Sequence, residues 1–156
     1  MSDNIKILLI TVSALLLGFV SGFSTNDAIT TWYPTLNKPF FQPPNWLFGP
    51  VWTVLYIMIG ISVGLILTKV ENSELKKKAL VVFGIQFVLN LIWSPIFFGL
   101  KQITLALIVI IILLVMIFYT IKLFSKLNNS SGKLLIPYFL WVTFATLLNG
   151  AIVYLN

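Results

Sequence analysis

Five stretches of this chain run for about twenty residues each without one charged side chain: Ile7–Phe23, Trp46–Thr68, Ala79–Leu100, Ile103–Ile121 and Leu134–Leu155. Each is long enough to cross a bilayer. Backbone N–H and C=O groups in hydrocarbon must pair within the segment, so stretches of this length predict helices and not strands. With 59% hydrophobic and 9% charged residues over 156 positions, the chain has too few charges to cover a soluble domain. The expected fold class is an all-α membrane protein: one domain, residues 1–156, made of a five-transmembrane-helix bundle.

The ten cations are all lysines, and they segregate. Lys6, Lys69, Lys76, Lys77, Lys78, Lys122, Lys126 and Lys133 fall on one side of the predicted topology, against Lys38 and Lys101 on the other. The positive-inside rule then predicts a cell-membrane protein with a cytoplasmic N-terminus, and with the C-terminus and the 24–45 loop outside. The formal charge of +6 is therefore a topological signal and does not point to nucleic acid. Absence of Cys and His excludes disulfides, thiol nucleophiles, structural zinc and histidine-ligated haem. Val20-Ser21-Gly22 resembles a signal-peptide cleavage site. Asp3 beside Lys6 and the length of the apolar run favour a retained span.

The first long loop is unlike the rest. Three of the five tryptophans and five of the seven prolines lie between Trp32 and Trp52. Interfacial anchoring scatters aromatic residues, whereas a dense proline-stiffened cluster suits the lid and wall of a site for a flat apolar ligand. A short helix is expected within Asn26–Asn37, capped by Thr30 or Thr31 and ended by Pro39. Ser125–Gly132 reads as a polar turn, and the very short link after Leu100 makes the third and fourth spans antiparallel neighbours.

Within the spans, polar residues mark inward faces. Gln86, Asn90 and Ser94 recur every four residues, with Trp93 and Phe97 beside them. An amide facing lipid would leave donors and acceptors unpaired, so this face points inward, either for interhelical hydrogen bonding or to offer Asn90 to a ligand. Trp141, Ala145 and Asn149 line up in the same way, with a small residue that serves close packing or leaves a hollow. On the second span Tyr56, Gly60 and Gly64 follow Trp52 at the same spacing. The pairs Gly18/Gly22 and Gly60/Gly64 suit packing within the bundle or dimerisation. The fourth span, almost wholly aliphatic, is expected to face lipid or a second subunit. Glu71 and Glu74, beside lysines, read as a solvated loop and not as catalytic carboxylates.

Three motifs in order give the chain a resemblance to the translocator protein family, also called tryptophan-rich sensory proteins or TspO/MBR. They are Trp32-Tyr33 through Trp52 with Leu55-Tyr56, then Asn90 through Gly99, then Pro137 through Trp141 and on to Asn149. The resemblance covers nearly the whole chain. It implies a five-helix bundle, commonly a homodimer, that binds tetrapyrroles such as protoporphyrin IX, with some members binding sterol or benzodiazepine-site ligands. Carried onto matching positions, it implies a pocket of Trp32, Tyr33, Pro43, Trp52, Asn90, Trp93, Trp141 and Ala145. The reading of the spans adds Tyr56 and Asn149. Some bacterial members are reported to degrade porphyrin in light, and Trp52 matches the tryptophan implicated. No cofactor or metal is expected, porphyrin entering as ligand. Sterol binding is not expected, because after Tyr154 only Leu155 and Asn156 remain where the family's motif needs a basic residue.

The function expected is thus a porphyrin-binding sensor, regulator or carrier, the alternative being a light-dependent porphyrin-degrading enzyme that uses Trp52. A proton-coupled exporter ranks last, since such carriers need an ionisable group within the membrane.

Overall fold

A computed structural model describes all residues from Met1 to Asn156. It contains no strand. Helix α1 (Asp3–Ser21) runs almost directly into α2 (Phe23–Thr31), and 3-10 turns at Tyr33–Thr35 and Asn45–Leu47 bracket the loop. Then come α3 (Phe48–Lys69), α4 (Glu74–Ser94) with a π turn at Pro95–Gly99, α5 (Ile103–Leu127), the short α6 (Asn129–Leu134) and α7 (Ile136–Leu155). Five segments are long and apolar enough to cross a bilayer, which makes this a multi-pass membrane protein.

The five long helices close a ring in the order α1, α3, α7, α5, α4 and back to α1. Lipid removes the hydrophobic drive between helices, so close van der Waals approach must hold the seams. On the α1–α3 seam a Cβ at Gly60 would lie 2.5 Å from the Thr11 Cα, and one at Gly18 would strike the Tyr56 ring. Gly64 packs against Ile7 in the same way. Gly18, Gly60 and Gly64 thus serve packing inside the bundle, whereas Gly22 has no close neighbour outside its own helix turn.

The lysine-rich end is tightly filled. Ile59, Ile66, Leu113, Ile117, Phe124, Leu135 and Tyr138 are almost completely buried there. Two buried serines in this half pair with each other. The Ser62 hydroxyl lies 2.8 Å from the Ser131 carbonyl and 2.9 Å from its hydroxyl, and Ser131 Oγ donates to the Ser62 carbonyl at 2.7 Å. Lys76 folds back so that its ammonium donates to the carbonyls of Val70 (2.8 Å) and Leu67 (3.3 Å), satisfying acceptors that the end of α3 leaves open. Ser73 caps α4, its hydroxyl accepting from the Lys76 N–H.

Several local expectations need correction. The helix after Gly22 starts at Phe23, not within Asn26–Asn37, and Thr30 and Thr31 lie at its C-terminal end. Their hydroxyls bond back to the Asp27 carbonyl, a helix-internal use that leaves no cap to supply. Ser125–Gly132 is not a plain turn. Ser125 to Leu127 complete α5, and Asn128, whose side chain accepts from the Ser131 N–H, caps α6. The fourth span does not simply face lipid: Ala106, Ile110, Leu113, Ile117 and Thr120 form a buried stripe against α4 and α7. An all-aliphatic sequence hides which side of such a helix packs. The short link to α5 is made possible by Lys101, whose φ of 57° turns the chain back at once.

Candidate functional site

Towards the loop end the ring encloses a small chamber of about 90 Å³. Trp52 of α3, Trp93 of α4 and Trp141 of α7 face it together, with Phe97, Phe98 and Tyr33. A wider cleft of about 590 Å³, partly open to the surroundings and within the usual range for small-molecule sites, lies between α1–α2, the start of α3 and α4. Thr25, Ile29, Phe48, Trp52 and Trp93 line both spaces, so chamber and cleft share a wall.

One proline shapes much of this wall. Pro95 has no N–H, so the Leu91 carbonyl loses its helical partner, and Ser21 Oγ donates to it across the α1–α4 gap at 2.6 Å. The Thr25 and Ser94 hydroxyls pair beside it at 2.7 Å. Past Pro95 the helix widens into a π turn, closed by the Leu100 N–H on the Pro95 carbonyl. That turn buries both Phe97 and Phe98, and Phe97 stacks on Trp93 with centroids 5.1 Å apart.

Polar side chains hold the aromatic rings in place. Trp93 Nε1 donates to Asn149 Oδ1 at 3.2 Å, and Asn149 Nδ2 donates to the Ile103 carbonyl at 3.0 Å. Asn149 thus ties α4, α5 and α7 together while forming part of the chamber wall. Asn90 is a bracket of the same kind at the cleft. Tyr56 donates to its Oδ1, its Nδ2 donates to the Tyr138 hydroxyl at 2.8 Å, and Tyr138 donates onward to Gln86 Oε1 at 2.8 Å. Two buried donors in this region lack a protein partner, Gln86 Nε2 and the Trp141 indole N–H. The second belongs to the chamber wall.

The roof is fastened at several points. Tyr33 is 2% exposed and packs on Phe97 and Phe98. Burial pushes its phenol up to about 12, because the phenolate would lose its hydration. Lys38 Nζ donates to the Tyr33 and Leu36 carbonyls, at 2.9 Å each, and lies 5.0 Å over the Tyr33 ring. Asn37 and Asn156 bond reciprocally: the Asn37 N–H donates to Asn156 Oδ1 at 3.0 Å, and Asn156 Nδ2 to the Asn37 carbonyl at 2.8 Å. This clasp ties the loop to the end of α7.

Of the residues singled out from the sequence, Tyr33, Trp52, Trp93, Trp141, Ala145 and Asn149 line the chamber. Tyr56 and Asn90 line the cleft, where Trp52 and Trp93 recur. Trp32 and Pro43 line neither space. Trp32 supports the wall from behind, edge-on to Phe97 at 5.8 Å. Pro43 lies on the stretch of loop that turns outward, where Phe40 is fully exposed and Trp46 is 71% exposed. Thr25, Ile29, Phe48, Leu148 and Ile152 also line the chamber and were not anticipated. Leu148 and Ile152 follow Ala145 at helical spacing, a signal that could have found them. Thr25 and Ile29 were hidden in a stretch read as loop.

Comparison with known proteins accords with this architecture. Residues 9–155 match the TspO/MBR family. The chain is 39% identical to the tryptophan-rich protein TspO of Archaeoglobus fulgidus over 152 residues, 97% of each chain. It is 38% identical to protein CrtK of Rhodobacter capsulatus over 80% of this chain and 78% of that one. To the human translocator protein it is 36% identical over 76% of this chain and 70% of that one. The chain belongs to the TspO/MBR family.

Proposed function

We propose that this TspO/MBR protein binds a tetrapyrrole of the protoporphyrin IX type at its loop end and acts as a membrane sensor, regulator or carrier for it. The observation that carries the reading is the convergence of Trp52, Trp93 and Trp141, from three different helices, on one chamber. A flat apolar macrocycle gains from such walls chiefly by burial. Each indole or phenol can cover about 150–250 Å² at roughly 25 cal/mol per Å², well above the roughly 1 kcal/mol of ring stacking. The unpaired Trp141 N–H offers a donor to an acceptor on the ligand's edge. The cleft beside the chamber, about 590 Å³ against about 90 Å³, supplies most of the room that a macrocycle needs, and Trp52 and Trp93 line both spaces.

The names of the relatives suit this reading, since they include a tryptophan-rich sensory protein from Cereibacter sphaeroides and translocator proteins. Lysine segregation supports a cell-membrane orientation with the roofed end outside. Homodimerisation through lipid-facing helices is part of the same proposal. The test is a titration of nanodisc-embedded protein with protoporphyrin IX in darkness, followed by the porphyrin absorption band and by tryptophan quenching. One saturable site is expected. A signal that rises linearly with porphyrin, as it does in empty nanodiscs, would refute the proposal.

A further inference from the structure

Behind the cleft runs a buried chain of four polar side chains whose hydrogen-bonding direction can be reversed without moving any of them apart. In the sense described above, each donor points inward: Tyr56 to Asn90, Asn90 to Tyr138, Tyr138 to Gln86. Gln86 is fully buried, and its Nε2 is left without a partner at the inner end. An unpaired buried N–H is rarer and costlier than an unpaired carbonyl.

Turning the two amides over sends the chain the other way. Gln86 Nε2 then donates to Tyr138, Tyr138 to Asn90 Oδ1, and Asn90 Nδ2 to the Tyr56 oxygen. The oxygen and nitrogen of an amide are nearly the same size, so the cavities that hold them need not change. The reversal exchanges an orphan donor for an orphan acceptor at Gln86. It also frees the Tyr56 hydroxyl to donate into the cleft that Tyr56 and Asn90 line.

We propose that Gln86, acting through Tyr138 and Asn90, sets the hydrogen-bonding sense of Tyr56 and thereby favours flat apolar ligands that carry an acceptor oxygen, carbonyl or carboxylate, over those that carry a donor. This rests on the ligand-binding reading above and adds a specificity element to it. Gln86 lines neither the chamber nor the cleft, so it acts as a positioning residue.

Three tricyclic probes of the same shape test it in nanodiscs: 9-fluorenone (acceptor), carbazole (donor) and fluorene (neither). Wild type should bind fluorenone more tightly than carbazole, by about fivefold for one net hydrogen bond. Tyr56→Phe should bring both to the fluorene value. Gln86→Met keeps the length but removes the donor, and it should cut the fluorenone-to-carbazole ratio severalfold while leaving fluorene unchanged. A packing defect would instead weaken all three together. Should Gln86→Met fail to fold, infrared difference spectra of wild type carry the test. Fluorenone should shift a tyrosine C–O band that is missing in Tyr56→Phe. An unshifted band, a ratio unaltered in Gln86→Met, or a preference for carbazole would overturn the relay while leaving the binding site standing. Failure of all three probes to bind wild type would overturn the binding site itself, and the relay with it.

Discussion

The two halves of α3 follow opposite plans. Its lysine-end half carries Gly60, Ser62 and Gly64, which let α1 and α6 approach closely and leave no space. Its loop-end half carries Trp52 and Tyr56, four residues apart with ring centroids 5.7 Å apart, and those rings stand at the edge of a hollow. One helix thus serves as a keel at one end and a wall at the other. Small residues close a membrane bundle by bringing backbones together, whereas large rigid rings bracketed by amides hold it open. The difference predicts that substitutions at the two ends will separate stability from binding.

The largest effect should come from filling the closed half. Gly60→Leu would drive side-chain atoms into the Thr11 backbone, which cannot yield as a flexible side chain can. A loss of about 3 kcal/mol in resistance to unfolding by detergent, the upper end for overpacking, is expected. A Gly60→Leu protein as stable as wild type would show that the α1–α3 seam is not what holds this end.

Filling the open half should do the reverse. Ala145 lies in the chamber wall, so Ala145→Leu puts its added methyl groups into empty space. Stability should stay within about 1 kcal/mol of wild type. Porphyrin affinity should fall roughly tenfold, as read from dark titrations. Equal loss of stability and affinity would erase the distinction between the two ends.

A smaller effect tests the roof. Because burial raises the Tyr33 phenol to about 12 from an ordinary value near 10, Tyr33 contributes to stability below about pH 10, and that contribution is lost as pH climbs through about 12. Ultraviolet absorbance of wild type minus Tyr33→Phe should show one tyrosine ionising late. Ionisation near pH 10 would mean that the roof is open to water.

The sequence carried the bundle and most of the wall but not the irregular backbone between them. Five uncharged stretches specify five helices because hydrocarbon allows nothing else, and four-residue spacing is enough to place Trp141, Ala145 and Asn149 on one face. Counting at that spacing assumes a regular helix, and Pro95 breaks the assumption: the π turn buries neighbouring Phe97 and Phe98 together. Thr25 and Ile29 could not be placed without knowing that α1 continues almost unbroken into α2. Trp32 and Pro43 show the converse limit. Position in an aromatic loop does not tell which rings face in, and the loop is fastened by contacts such as the clasp between Asn37 and Asn156, 119 positions apart, which no local spacing reveals. The spacing leaves Asn90 as either a helix bracket or a ligand contact, and puts Asn149 on a face that is either closely packed at Ala145 or hollow. Their amides bracket neighbouring helices, and both also line the hollow.

The most direct test compares two tryptophans of the same aromatic segment, Trp52 in the shared wall and Trp46 on the outer loop. Protoporphyrin IX is titrated in darkness into wild type, Trp52→Ala and Trp46→Ala in identical nanodiscs. Removing about 2 kcal/mol of wall contact should weaken binding roughly 30-fold for Trp52→Ala and leave Trp46→Ala at the wild-type value. Equal affinity for the two variants would contradict the account, because porphyrin would then be held by the exposed surface or by lipid and not by the chamber.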